Sequence, residues 1–331
     1  MVFFIVVLRA LAACLITNSH YTGVYPTDLI ANGGLVGDVL FFAVSGYCLF
    51  NVKTSFPRWY GKRLARIYTP VLLITAVYFL LGQYAFDQQQ NFVWWFLYPT
   101  GYHFVGSIVL LYIPFWFVGR FEVFRKRIPW LMGGGALIYL IIYILFYDKS
   151  YYHIDNVREW MIKLLFFESM LLGAYFKQKE EKYRNHFHWW LPIVAVVAFS
   201  AYFVSKLFFS KYTAYSYLQI VNQLLIFVLL FFLFWLFASL DDKLERLPKP
   251  IKKVISFISA MTLEIYVVQS VLIALIRPYL SFPLNWLAIT ASIIIAAFIL
   301  HVLCKYIIKG VEWGIEKIKN KIQKPKEEKS K

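Results

Sequence analysis

The sequence predicts an all-α integral membrane protein, a bundle of about ten transmembrane helices with the N-terminus and the C-terminus both cytoplasmic. Three observations predict it. Of the 331 residues, 60% are hydrophobic and only 16% are charged, which is too apolar for a soluble globular domain. The apolar runs are far longer than the strands of a membrane barrel, so the spanning elements are helices. The basic residues are also unevenly placed: 27 of the 34 Lys and Arg fall in the segments 51–68, 120–130, 177–190, 241–256 and the tail from Lys305. By the positive-inside rule those segments are cytoplasmic. The intervening segments 21–34, 87–101, 148–159, 207–215 and 277–283 are short and nearly free of Lys and Arg.

The spans follow in order. The first, near 2–20, is apolar except for Arg9 and ends on His20. The second, 35–51, carries Asp38 near its outer end. The third, 69–86, follows the basic segment 51–68, and the fourth, 102–119, stops at Arg120. The fifth, 131–147, opens on Gly133, Gly134 and Gly135, a run suited to close helix packing or a flexible entry. The sixth, 160–176, holds Glu168; the seventh is 189–206; the eighth, 216–239, holds Asn222 and Gln223. The ninth, 257–276, includes Glu264, and the tenth, 284–304, includes His301. Structural hydrogen bonding is the expected role of Glu264, Asn222, Gln223 and His301. Glu168 is expensive in mid-span unless paired or protonated.

These spans make one membrane domain, 1–304. Residues 305–331 form a basic cytoplasmic tail, in which Val311 to Lys324 alternates apolar and basic positions as an interfacial helix would. The last eight residues, from Lys324, are expected to be disordered.

The net charge of +16 is a topology signal before it is anything else, and it does not point to nucleic acid. Attraction to anionic membrane lipids is its secondary consequence. Cys14, Cys48 and Cys304 lie within or at the ends of spans with no CxxC spacing, so neither a zinc site nor a disulfide framework is implied, and no metal is expected. Leu11-Ala12-Ala13-Cys14 imitates a lipoprotein cleavage box, but no basic region precedes it and Arg9 interrupts the apolar stretch. The segment is read as a retained helix.

Arg9 and His20 are the most informative residues. Eleven positions turn an α-helix by about 1100°, so both side chains leave nearly the same face, roughly 16 Å apart along the axis. A cation in such a span costs at least about 2.5 to 3.5 kcal/mol unless it faces the protein interior or snorkels to the surface. Histidine titrates near neutrality and is the usual general base for a hydroxyl acceptor. Asp38, at the same membrane edge as His20, either orients that imidazole or caps the second helix. Arg63 and Arg66, spaced i, i+3, present two guanidinium groups on one face at the cytoplasmic border. They suit phosphate binding or serve as positive-inside anchors.

Together these segments resemble the membrane-bound acyltransferase family 3. The match consists of an Arg-x10-His pattern (Arg9, His20), then Phe41-Phe42-Ala43-Val44-Ser45-Gly46-Tyr47, then Arg63-Leu64-Ala65-Arg66-Ile67-Tyr68, in order across residues 9–70. Later matches are looser. The family often has histidine where this chain has Gln269, and tryptophan at Val105 beside His103, which leaves the roles of Gln269 and His103 open.

The resemblance implies transfer of an acyl group, commonly acetyl, from cytoplasmic acetyl-CoA or another acyl-CoA to a hydroxyl of a surface polysaccharide or lipid-linked sugar. It implies His20 as the acid–base group and Arg9 as a donor to the acyl-CoA or to developing oxyanion charge. Arg63 and Arg66 would hold the coenzyme A phosphates. The host membrane would be a plasma membrane, bacterial by the natural guess. Arg63 and Arg66 are expected at the inner face and His20 at the outer one, across a core ~30 Å thick. The pantetheine arm is therefore expected to thread past Arg9. A polysaccharide exporter or flippase with the same fold is the rival reading; it predicts a continuous polar cavity and function that survives loss of His20.

Overall fold

In the computed structural model, residues 2–99 and 101–328 are described, with side chains to Gly310. Every regular element among them is helical. The α-helices are α1 (Phe3–Ser19), α2 (Gly34–Leu49), α3 (Phe56–Leu80), α4 (His103–Arg120), α5 (Glu122–Lys126), α6 (Ile128–Phe146) and α7 (Ile162–Gln178). They continue with α8 (Glu180–Tyr183), α9 (Leu191–Lys211), α10 (Ile220–Ser239), α11 (Asp241–Glu245), α12 (Lys249–Ala260), α13 (Thr262–Ile276) and α14 (Leu284–Glu328). A π-helical turn, Val93–Leu97, precedes α4.

Seven of these are long and apolar enough to cross a membrane: α3, α4, α6, α9, α10, α13 with the turn after it, and the first part of α14. The protein is therefore a multi-pass membrane protein. Helices stand at the other three expected places, but α1, α2 and α7 are only 16 or 17 residues long. That falls below the ~20 residues a typical core requires.

Two compact units divide the chain. The first comprises Met1–Phe56 and Tyr102–Thr262; the second comprises Pro57–Gly101 and Leu263–Lys331. The heart of the first unit is α2, packed between α1 and α7. Glycine makes that possible. A methyl group on Gly46 would overlap the Met170 carbonyl oxygen, and one on Gly173 would overlap that of Ala43. On the other side, a Cβ at Gly37 would stand 2.8 Å from the Ala12 carbonyl oxygen. Backbone contact at this range is the small-residue mode of helix association in membranes. Phe42 then stacks on Phe166 at 4.3 Å between ring centroids, and Phe4 meets Phe234 edge-on at 5.8 Å. In the second unit, the Tyr78 hydroxyl of α3 donates to the Val268 carbonyl of α13 at 2.9 Å. The Tyr68 hydroxyl donates to Leu97 in the π-helical turn at 2.7 Å.

Several boundaries differ from expectation for identifiable reasons. The third helix was expected from 69, yet α3 begins at Phe56, because a basic amphipathic stretch can be helical as well as cytoplasmic. It stops at Leu80, two residues before Gly82 takes a left-handed φ of 67°, so 81–86 is not part of the span. The ninth expected span is broken near Met261 into α12 and α13. Gly133, Gly134 and Gly135 lie inside α6 rather than at its entry. The backbone of α14 runs unbroken past 304 to Glu328, which places the first residues of the supposedly disordered end in a helix. The side-chain pattern of the tail helix and residues 329–331 lie outside the described residues.

Candidate active site

α1 is a single unbroken helix, and His20 continues it as its C-cap with right-handed helical angles, φ −86° and ψ −5°. Arg9 and His20 are thus held by one rigid rod, at the axial distance of roughly 16 Å that ~1.5 Å per residue dictates. Both side chains are half-buried. Arg9 turns to α2, where its Nη2 donates to the Cys48 sulfur at 3.7 Å. The charge of Lys177, at the end of α7, also reaches that exposed thiol. The Arg9 end of α1 is therefore electropositive and faces a soft sulfur acceptor.

A chain of bonds fixes this end. Asp241, fully buried, accepts the Phe4 backbone N–H at 2.7 Å through Oδ1 and Arg184 Nε at 2.7 Å through Oδ2. Arg184 Nη1 then donates to Glu180 at 3.3 Å, and Lys177 Nζ reaches the other Glu180 oxygen at 2.5 Å while standing 4.9 Å over the Tyr47 ring. Burial pushes the Glu180 carboxyl up. The hydrogen bond from Lys177 and the charges of Lys177 and Arg184 outweigh that and hold it below the ordinary glutamate range.

At the other end, His20 sits above a short loop organised by Asn18, whose Nδ2 donates to the Ile30 and Asn32 carbonyls at 2.7 and 3.0 Å. Tyr25 donates to Asn18 Oδ1 at 2.7 Å. His20 and Arg158 both lie within electrostatic range of the His103 ring at the start of α4. Two histidines and an arginine thus converge at this end, and sequence reasoning had left His103 open and passed over Arg158.

Asp38 is 4% exposed, in the second turn of α2, whose N-cap is Gly33 with a left-handed φ of 98°. It is not the cap. Among the described residues no hydrogen bond or ion pair joins it to His20, so the structure places it near the histidine's end of the bundle without the orienting contact proposed for it.

Arg63 and Arg66 belong to the second unit. The Arg63 guanidinium lies 4.6 Å over the Trp59 ring and donates to the Trp59 carbonyl at 3.3 Å; Arg66 is exposed. Arg63 is thus presented on an aromatic platform. In the same unit, Gln269 is 1% exposed and, among the described residues, neither of its amide atoms has a partner. An amide so placed is costly unless something polar meets it. Glu264 and His301 pair at 2.8 Å, and Asn222 donates to Tyr202 and Ser205, as expected of structural polar groups.

A family model described as an acyltransferase domain, acyltransferase family 3, matches residues 2–307. The chain belongs to that family. Comparison with curated proteins and with solved structures gave no match. Family membership makes this multi-pass protein a membrane acyltransferase.

Proposed function

We propose that the protein is an O-acyltransferase that moves an acyl group, acetyl in the simplest case, from cytoplasmic acyl-CoA to a hydroxyl of a surface polysaccharide or lipid-linked sugar. The observation that carries this reading is the unbroken helix α1, which holds Arg9 near its middle, where it shares Cys48 with Lys177, and His20 at its C-terminal end, within electrostatic range of His103. His20 takes the proton of the acceptor hydroxyl, whose oxygen attacks the thioester carbonyl. The carbon–sulfur bond breaks, the acyl group stays on the sugar oxygen, and the coenzyme thiolate leaves and takes up a proton.

The length of the rod divides the roles. An arginine side chain anchored roughly 16 Å from His20 along one axis cannot reach an oxyanion formed at the imidazole. Arg9 is therefore assigned to the anionic donor, together with Lys177, and Arg63 and Arg66 to the phosphates of the coenzyme. Asp38 has no contact that would let it orient His20 and is assigned at most an electrostatic role. The acceptor is met at the His20 end.

The test is acyl transfer by membranes carrying single variants. His20→Ala is expected to lower kcat by about 10²- to 10⁴-fold, the usual contribution of general acid–base catalysis. Arg9→Ala and the pair Arg63→Ala, Arg66→Ala are expected to raise KM for acyl-CoA. Unchanged acylation in His20→Ala would overturn the assignment.

A further inference from the structure

A cavity of about 340 Å³ lies within the first unit between α6, α7 and α10, away from Arg9 and His20 in the chain. Its size is that of small-molecule sites in general. Most of its wall is aliphatic or aromatic, including Leu165, Leu224 and Phe227, but three polar groups meet it: Tyr139, Glu168 and Gln223. Each is nine-tenths or more buried. Gln223 Nε2 donates to the Ile154 carbonyl at 3.1 Å, which fixes the amide and leaves Oε1 buried without a donor. Among the described residues the Tyr139 hydroxyl is likewise without a partner. No hydrogen bond or ion pair reaches Glu168 among the described residues. Its carboxyl occupies space that α6 leaves by having glycine at 135, where a Cβ would overlap Glu168 Oε1.

The cavity does not end there. A second one, of about 390 Å³, shares Met132 and Phe227 with it and continues along α10 to Phe232 between apolar side chains. From Val221 to Phe232 the pair covers roughly 16 Å of helix at ~1.5 Å per residue. The mouth is bordered by Leu140 and Leu224, 43% and 62% exposed on the outer faces of membrane-crossing helices. An occupant therefore enters from the bilayer. It must be long and aliphatic, and at one end it must donate a hydrogen bond to Gln223 Oε1 and exchange one with Glu168. A hydroxyl does both.

We propose that this groove is a binding site for a long-chain aliphatic alcohol, a membrane lipid whose hydroxyl rests between Glu168, Gln223 and Tyr139 and whose chain lies along α6 and α10. The site stands independently of the acyl-transfer reading.

Purified full-length protein in lipid nanodiscs is labelled with diazirine-bearing hexadecanol and, in parallel, with the matching diazirine-bearing hexadecane. The alcohol is expected to label the stretch around Met132 and Phe227 saturably, and unlabelled hexadecanol to compete. Glu168→Leu is expected to weaken the alcohol about tenfold, the effect of losing roughly one hydrogen bond, whereas Glu168→Gln keeps most of the binding. Leu224→Trp, at an exposed position, is expected to block the mouth without disturbing the fold. Equal labelling by alcohol and alkane, or alcohol labelling that survives Leu224→Trp, would overturn the proposal. If Glu168→Leu fails to fold, the alcohol-to-alkane ratio on the wild type and the Leu224→Trp result still decide it.

Discussion

At its Phe4 end α1 is held by charge: Asp241 takes the helix's own amide and the Arg184 guanidinium, and the chain runs on through Glu180 to Lys177. At its His20 end it is held by neutral groups, with Asn18 donating to two loop carbonyls and receiving the Tyr25 hydroxyl. The difference fits what each end is proposed to meet. An anionic donor is best met by cations that neighbouring carboxylates keep in place. A sugar hydroxyl is best met by an imidazole that no carboxylate holds, and among the described residues no carboxylate bonds to His20. Neutral bonds also yield more readily, so the His20 end is the end better able to adjust to a bulky acceptor.

Removing Asp241 is the strongest way to break this contrast. Asp241→Ala strips the acceptor from both the Phe4 amide and Arg184, and deleting one partner of a buried pair costs about 3–5 kcal/mol. Arg184 is 32% exposed, so water rescues part of the loss and the expected figure is about 3 kcal/mol. Thermal unfolding of the purified protein should show the largest drop among single variants of either end. A melting temperature equal to that of the wild type would mean that the network is ornamental. Asn18→Ala tests the other end: its three bonds are neutral and partly exposed, each worth about 0.5 kcal/mol net, for a total of roughly 1–2 kcal/mol. Hydrogen exchange in residues 21–33 should rise in that variant while the Phe4 end stays protected. Loosening at both ends would show that the two are not separable.

The places of the helices were legible because long apolar runs can do little else in a bilayer. The start of α3 was not, since Arg58, Lys62 and Arg63 give the same basic-segment signal whether they lie in a loop or a helix. Gly46 and Gly173 stand 127 positions apart, and only the fold brings their helices into backbone contact. Arg9 and His20 shared a helical face by arithmetic alone. The partner of Arg9 was invisible, since Cys48 comes from another helix and a lone cysteine carries no spacing signal. Arg184 was counted as one more topology charge, and its bond to Asp241 spans 57 residues. Asp38 misled because an aspartate near a helix start suggests a cap, whereas Gly33 already fills that place with a backbone angle that favours glycine.

The smallest expected effect concerns pH, and it bears on the charged end alone. Glu180 has its folded-state value depressed below the ordinary 4.5, so its bonds stabilise the fold fully at pH above that ordinary value. The contribution fades as the pH falls below it and is gone once the pH is under the depressed value. Glu180→Gln should therefore melt slightly below the wild type near neutrality, and the gap should close on acidification, because the wild type loses what the variant never had. Asn18→Ala should keep a constant gap over the same range, since none of its bonds titrates. A Glu180→Gln gap that is flat in pH would show that the carboxylate contributes shape rather than charge, and the contrast between the two ends would then rest on Asp241 and Arg184 alone.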